Sequence, residues 1–458
     1  MKHIHWTNFY LLNTIYKKNN KTNNLKPMAK FLKKFTTHTA YESYISGLTE
    51  EEVILPNVSY CVDANDVHYN PWVETKLVCK YNITDTTSAT TLRTEYEQNM
   101  FKSMEIDGVL LDSLVTSYQF STTGEHTVKY ELYDETKVGN NAPLFYNINA
   151  LTSVSIPNSV TTIGTNAFNG CSGLTNVTIP NSVTTISSNA FIGCSGLTSV
   201  TIGNGVTTIG TNAFSGCTVL TNVTIDTTTV QEWFKNNTYI QTVVLGDNVT
   251  SIDNNAFYGC TGLTSVTIGN SVTEIGEYAF YGCTGLTSIT IPNNVTSIDY
   301  CTFKNCSGLT SVTIGNSVTE IGEEAFSGCT SLTSVTIGNS VTTIGQYAFY
   351  GCSNLTSVTI PDSVTTIGDY VFCECTGLTN VTIGNSVTEI GEEVFKKCNS
   401  LTNITSLATT APTIDSYTFH IINNGGTLYV PTGSTGYDVW MGTGDYYLGK
   451  YGWTKVEQ

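Results

Sequence analysis

The phrase LTSVTIGNSVTEIGEYAFYGCTG, residues 263–285, begins again at Leu286 with few changes and recurs through most of the chain. Its leading apolar residue marks the register: Leu151, Leu174, Leu197, Leu220, Ile240, Leu263, Leu286, Leu309, Leu332, Leu355, Leu378 and Leu401. Every step is 23 residues except Leu220 to Ile240, which is three shorter. A period in this range specifies stacked supersecondary units rather than one globular core.

Apolar spacing within a unit predicts its path. In LTSVTI the apolar residues stand first, fourth and sixth, the pattern of a strand lining a solenoid. Val266 and Ile268 are expected inward, with Ser265 and Thr267 alternating outward. GNS or PNS then turns the chain, and VTEI supplies a second inward pair, Val272 and Ile275. EYAFYGC reads as a single helical turn that inserts Ala279, Phe280 and Cys283. The larger inward side chains contribute about 1.5–3 kcal/mol each. Fixing each backbone residue costs about 1–2 kcal/mol. A lone unit loses that contest, whereas stacked units cover one another, so stability is a nearest-neighbour property. The short unit, LTNVTIDTTTVQEWFKNNTY, replaces the usual second half with Val230, Trp233 and Phe234.

The stretch IPNSVTTIGTNAFNGCSGLTNVTIP resembles the BspA-type leucine-rich repeat, a 23-residue class of bacterial surface proteins and some phages and protists. The resemblance runs from residue 151 to about 420, on an I-G-x-x-A-F-x-x-C core. It implies a curved solenoid, mainly β, with a parallel sheet on the concave side and short helical turns. It further implies an adhesin or binding surface with no catalytic signature position.

Residues 137–420 are therefore expected to be the solenoid and 421–458 its C-terminal cap. Trp440, Trp453 and several Tyr are expected to close the last turn, because a bare terminal unit would expose its core. Ahead of the array, VTSYQFSTTGEHTVKYELYD alternates in two runs around TTGE, which predicts a hairpin. Residues 75–136 read as a small β domain, a reduced immunoglobulin-like sandwich. Residues 28–74 form an N-terminal segment in which LPNVSYCVDANDVHYNPW resembles surface and phage proteins of gut bacteria. Residues 1–27 form a basic leader, with Met28 an alternative start.

The net charge of −17 argues against nucleic-acid binding. The first forty residues nevertheless carry eight Lys and no acid, a solvated or cleaved end. No run reaches the length of a membrane helix. WTNFYLLNTIY is a poor signal-peptide core, broken by polar residues and lacking a cleavage site.

Ten Cys recur in phase, from Cys171 to Cys398. Side chains on neighbouring rungs point in parallel, which opposes disulfides, and no C-x₂-C spacing or His partner suits a metal. They read as small buried thiols. Cys61 and Cys79 lie outside this ladder and are close enough in sequence to pair. Glu274 and Glu277, with Glu320, Glu323 and Glu324 and with Glu389, Glu392 and Glu393, cluster on separate units and read as solubilising charge. The six His never fall at ligand spacing, and no P-loop or nucleophile elbow appears.

What remains for recognition is the outward strand face: Ser265, Thr267, Ser288, Thr290, Ser311, Thr313, Ser334, Thr336, Ser357 and Thr359. So uniform a surface carries little information, so sharper specificity is expected at the irregular unit, at Trp233 and Phe234, or in the terminal domains. The leading expectation is a non-enzymatic binding or adhesion protein that contacts host protein or glycan. It would be displayed outside the cell, on a bacterial surface or a phage virion. The alternative is an architectural spacer in the same setting. No cofactor, metal, nucleic acid or membrane insertion is implied.

Overall fold

The computed structural model describes residues 76–95, 100–139, 143–415 and 417–458, and ahead of them only four strands. The chain divides into two units, Met1–Glu74 and Thr75–Gln458. In the first, Phe9–Lys17 pairs antiparallel with Lys30–Phe35, Glu52–Ile54 and Tyr60–Cys61. The leader, the Met28 start and the phage-like segment otherwise lie outside the described residues.

The second unit is the solenoid. Each coil contributes a longer strand, such as Asn176–Ile179, Ser199–Ile202 and Asn222–Ile225, and these pair parallel. Equivalent residues face each other, Val177 against Val200 against Val223, so the repeat period is also the pairing register. A second parallel ladder joins short strands such as Thr162–Ile163, Thr185–Ile186 and Thr208–Ile209. Alternation holds: Ser265 and Thr267 are exposed around buried Val266.

The third side of each 23-residue coil departs from expectation, because no helical turn forms there. 3₁₀ turns form instead at Glu232–Phe234 in the short coil and at Leu448–Tyr451 near the C-terminal end. Ala279, Tyr281 and Cys283 donate within the coil to carbonyls three residues back. The alternate N–H groups of Tyr278, Phe280 and Gly282 donate forward to Tyr300, Thr302 and Lys304 of the next coil at 2.9–3.1 Å. A helix would keep every donor on its own chain; this segment divides them, which makes a third inter-coil ladder. The geometry needs two left-handed residues per coil, here Tyr278 (φ 56°) and Gly282 (φ 68°).

The in-phase residues form continuous rows. Phenylalanine rings stack from coil to coil, Phe145 on Phe168 on Phe191 on Phe214, and again from Phe257 to Phe419. Centroids lie 5.2–5.9 Å apart with planes within 12°. Every ladder Cys donates its thiol to the carbonyl of the Phe one coil back, from Cys171 to Phe145 through Cys398 to Phe372, at 2.7–3.3 Å. Two rows of Thr hydroxyls do the same to backbone carbonyls, Thr198 to Thr175 and Thr184 to Thr161 among them.

The ends close the core. Leu77–Ile83 pairs antiparallel with the first array strand, Leu151–Ser155, and with Gly124–Leu132. Residues 75–136 thus extend the array sheet and share its core rather than standing apart as a sandwich. The hairpin expected around TTGE does not form. Ser117–Tyr118 pairs with Thr90–Thr91 instead, and Gly124–Leu132 lies between Leu77–Ile83 and Phe101–Ile106. The tight hairpin is Phe101–Ile106 with Val109–Leu110, where Asp107 (φ 48°) and Gly108 (φ 84°) supply the two positive dihedrals of a type I′ turn. At the other end Trp440 packs on Phe419 at 5.4 Å, and its indole N–H donates to the Pro412 carbonyl at 3.1 Å. Thr454–Glu457 adds the last parallel strand.

Candidate functional site

The three missing residues of the short unit determine where the surface opens. From Ile202 to Thr208 is six positions, but from Ile225 to Thr229 only four. From Ile209 to Phe214 is five, but from Val230 to Phe234 only four. The long strand Asn222–Ile225 is untouched and pairs on both sides. The whole deficit therefore falls on the other two ladders. Thr229–Val230 pairs forward with Ser251–Ile252 but not back with Thr208–Ile209. Thr227, buried where regular coils carry Val, satisfies its hydroxyl on the Thr229 carbonyl at 2.8 Å.

The parted coils leave a cleft of about 770 Å³ between residues 208–216 and 231–239. Trp233 lines it half-buried, Tyr239 is 45 % exposed at its rim, and Ile209 is only partly covered. Lys235 and Glu232 form an ion pair at 3.0 Å, which leaves the lining near neutral. Of the two residues singled out in the irregular unit, Trp233 lines the cleft half-buried, whereas Phe234 is turned away from solvent. Phe234 is 2 % exposed and occupies the phenylalanine row, 6.0 Å from Phe214. Its carbonyl accepts the Cys260 thiol at 3.1 Å, so it is a core residue.

The strand-face residues Ser265, Thr267, Ser288, Thr290, Ser311, Thr313, Ser334, Thr336, Ser357 and Thr359 are all exposed and form two rows. A shallow depression of about 860 Å³ lies on earlier coils of that face, lined by Ser153, Asn176, Thr178, Thr201 and Asp226.

Burial makes the thiol row inert: desolvation raises the thiols of Cys171, Cys217 and Cys260 to about 12. Cys79 is a free buried thiol, and the suggested partner Cys61 lies outside the residues whose side chains are described. Among the described residues no three His, Cys, Asp or Glu side chains come together as metal ligands.

The BspA type Leucine rich repeat region matches residues 136–260, 227–356 and 342–438, well over half the chain, with six copies. The chain belongs to the BspA-type leucine-rich repeat family. Among solved structures it is similar to a leucine-rich repeat protein from Bacteroides ovatus, 28 % identical, covering 70 % of this chain and 93 % of that one, TM-score 0.40. It is also similar to a leucine rich cell surface protein from Faecalibacterium prausnitzii, 32 % identical, covering 61 % and 84 %, TM-score 0.32. A search of curated proteins found no match. No helix among the described residues is long and apolar enough to cross a membrane.

Within this BspA-type array, the aromatic surface was not anticipated from the sequence. Lys235 reaches from the cleft over the Tyr258 ring, 5.6 Å from its centroid. Tyr258 stacks on Tyr281 at 4.7 Å, Tyr281 meets Tyr278 at 5.9 Å, and Tyr278 meets Tyr300 edge-on at 5.2 Å. These half-buried rings form a strip that begins at the cleft. Its signal was the Tyr of EYAFYGC on both sides of the core Ala-Phe pair, which a reading centred on the strand face passed over.

Proposed function

We propose that this chain is a non-enzymatic binding protein displayed on a cell surface, which contacts a host protein or glycan at the interrupted coil and the tyrosine strip beside it. One observation carries the reading. An array whose strand face is mainly Ser, Thr and Asn has a tyrosine strip, Tyr258 to Tyr300, joined to the Trp233 cleft by Lys235. Large rigid aromatics supply contact area at little entropy cost and are the usual anchors of recognition. The cleft adds depth, and the neutral lining suits a partner of low charge.

The test is retention of host-surface proteins and immobilised glycans by the purified full chain. Comparison variants are Trp233→Ala with Tyr239→Ala, and Thr290→Lys with Thr336→Lys. The cleft variant is expected to weaken capture at least tenfold, about 1.4 kcal/mol, and the strand-face variant to weaken it less. Failure to retain any partner at high surface density would refute a binding role. Equal capture by the cleft variant would move the site elsewhere.

A further inference from the structure

The parted coils uncover main-chain donors as well as side chains. In the coil before the cleft's near wall, the N–H groups of Asn189, Phe191 and Gly193 donate forward to the carbonyls of Thr211, Ala213 and Ser215 at 3.0, 2.8 and 2.8 Å. The same arrangement recurs beyond the cleft, where Asn255, Phe257 and Gly259 donate to Glu277, Ala279 and Tyr281 at 2.7–3.0 Å. On the wall itself the equivalent groups are Asn212, Phe214 and Gly216. They find no acceptor in the protein, because the coil that would supply three carbonyls is short and displaced. The carbonyls between them, on Thr211, Ala213 and Ser215, are already taken from behind. Along residues 212–216 the wall therefore presents unpaired donors at every second residue into a cleft of about 770 Å³, and beside them the Ile209 carbonyl, whose counterpart on Ile186 accepts from Gly210, is also open.

Unsatisfied main-chain donors are rare unless something completes them. Elsewhere in this molecule the group that completes such a triplet is the main chain of a polypeptide, with alternate carbonyls on one side. Resting on the binding role proposed above, we infer that the cleft takes a short segment of a partner polypeptide, which docks by its backbone and stands in for the missing rung. Its carbonyls accept from Asn212, Phe214 and Gly216, and its side chains meet Trp233 and Tyr239. Main-chain bonds supply affinity and the aromatic rim supplies selectivity, as in strand addition at a sheet edge. The paired Glu232 and Lys235 leave no net charge in the cleft, so the segment is uncharged there.

The chain itself provides the first probe: an end-blocked peptide of residues 210–216, GTNAFSG, whose copy in the array fills the equivalent donors one coil earlier. Hydrogen exchange is read on the full-length protein with and without excess peptide. A control variant replaces residues 226–239 with residues 269–285, which restores the full period and closes the ladder. In free protein, exchange over 212–216 is expected to run at least about tenfold faster than over 189–193. Peptide should slow it severalfold in the natural chain and change nothing in the control. Equal protection of the two segments in free protein overturns the inference, as does peptide binding that survives closure of the ladder. Protection of 212–216 by a neutral oligosaccharide but not by peptide overturns it too, while leaving the binding role intact. Loss of all partner capture in the previous experiment, with open donors confirmed here, would instead refute the binding role.

Discussion

At the residue scale, three of the in-phase positions answer different demands. Phe supplies stacked area, Thr caps carbonyls at the coil edges, and Cys does two jobs, filling a small volume and donating to the Phe carbonyl behind it. The thiol bond explains why an apolar residue of similar size does not replace Cys. We expect Cys306→Ala to lower stability by about 1–2 kcal/mol, from a lost bond and a small void, measured by denaturant unfolding. With the thiols of Cys171 and Cys260 raised to about 12 by burial, alkylation at pH 8 should leave the ladder untouched until the protein is unfolded, as mass spectrometry would show. A second residue-scale effect lies in the left-handed positions. Lys397 (φ 61°) occupies the site that Gly282 and Gly351 fill in other coils, and its ion pair with Glu374 is half-exposed. Surface pairs contribute little, whereas a non-glycine residue in this conformation costs about 1–2 kcal/mol. Lys397→Gly should therefore raise the unfolding midpoint, and a lower one would mean the ion pair outweighs the strain.

At the element scale, the N-terminal sheet caps the array and carries a titrating latch. His126 donates its Nδ1–H to the Asp107 carboxylate at 2.6 Å, and the Thr127 N–H donates to the same carboxylate at 2.9 Å. Burial lowers the His126 pKa, but the hydrogen bonds to Asp107 and to the Thr122 carbonyl, with the carboxylate charge, raise it further, so the net direction is up. For Asp107, burial raises the pKa, while the bonds from His126 and Thr127 and the imidazolium charge outweigh it and bring it down. A raised His contributes stability that is full below about 6.5 and is lost as pH rises through its folded value. A lowered Asp contributes stability that is full above about 3.9 and is lost as pH falls through its folded value. The latch is thus strongest between about pH 4 and 6.5. His126→Gln should flatten the loss of cap stability as pH rises above about 6.5, followed by hydrogen exchange over residues 101–132.

At the scale of the whole molecule, coils interact mainly with their neighbours, so length is adjustable in steps of one period. Deleting residues 332–354, a whole period, should leave a cooperatively unfolding array with the Trp233 cleft intact. Deleting 20 residues from the same place should disturb two ladders there, and circular dichroism with exchange data would distinguish the outcomes. Much of this architecture was legible in the sequence, because a strict period with inward Leu, Val, Ile and Phe has one economical solution. The period determined the register of both parallel ladders, the burial of the aromatic and thiol rows, and the place where the array is interrupted. It could not determine what depends on partners distant along the chain. The turn face became a donor-sharing ladder instead of a helix because the next coil offers carbonyls at the right height. The strand after TTGE paired with Leu77–Ile83 and Phe101–Ile106, not with its sequence neighbour, because burial on both edges outweighs a local turn. Phe234 turned inward because the ring row behind it needed filling. Local spacing is written in the chain; competition among distant groups for the same donors and the same buried volume is resolved only when the coils are stacked.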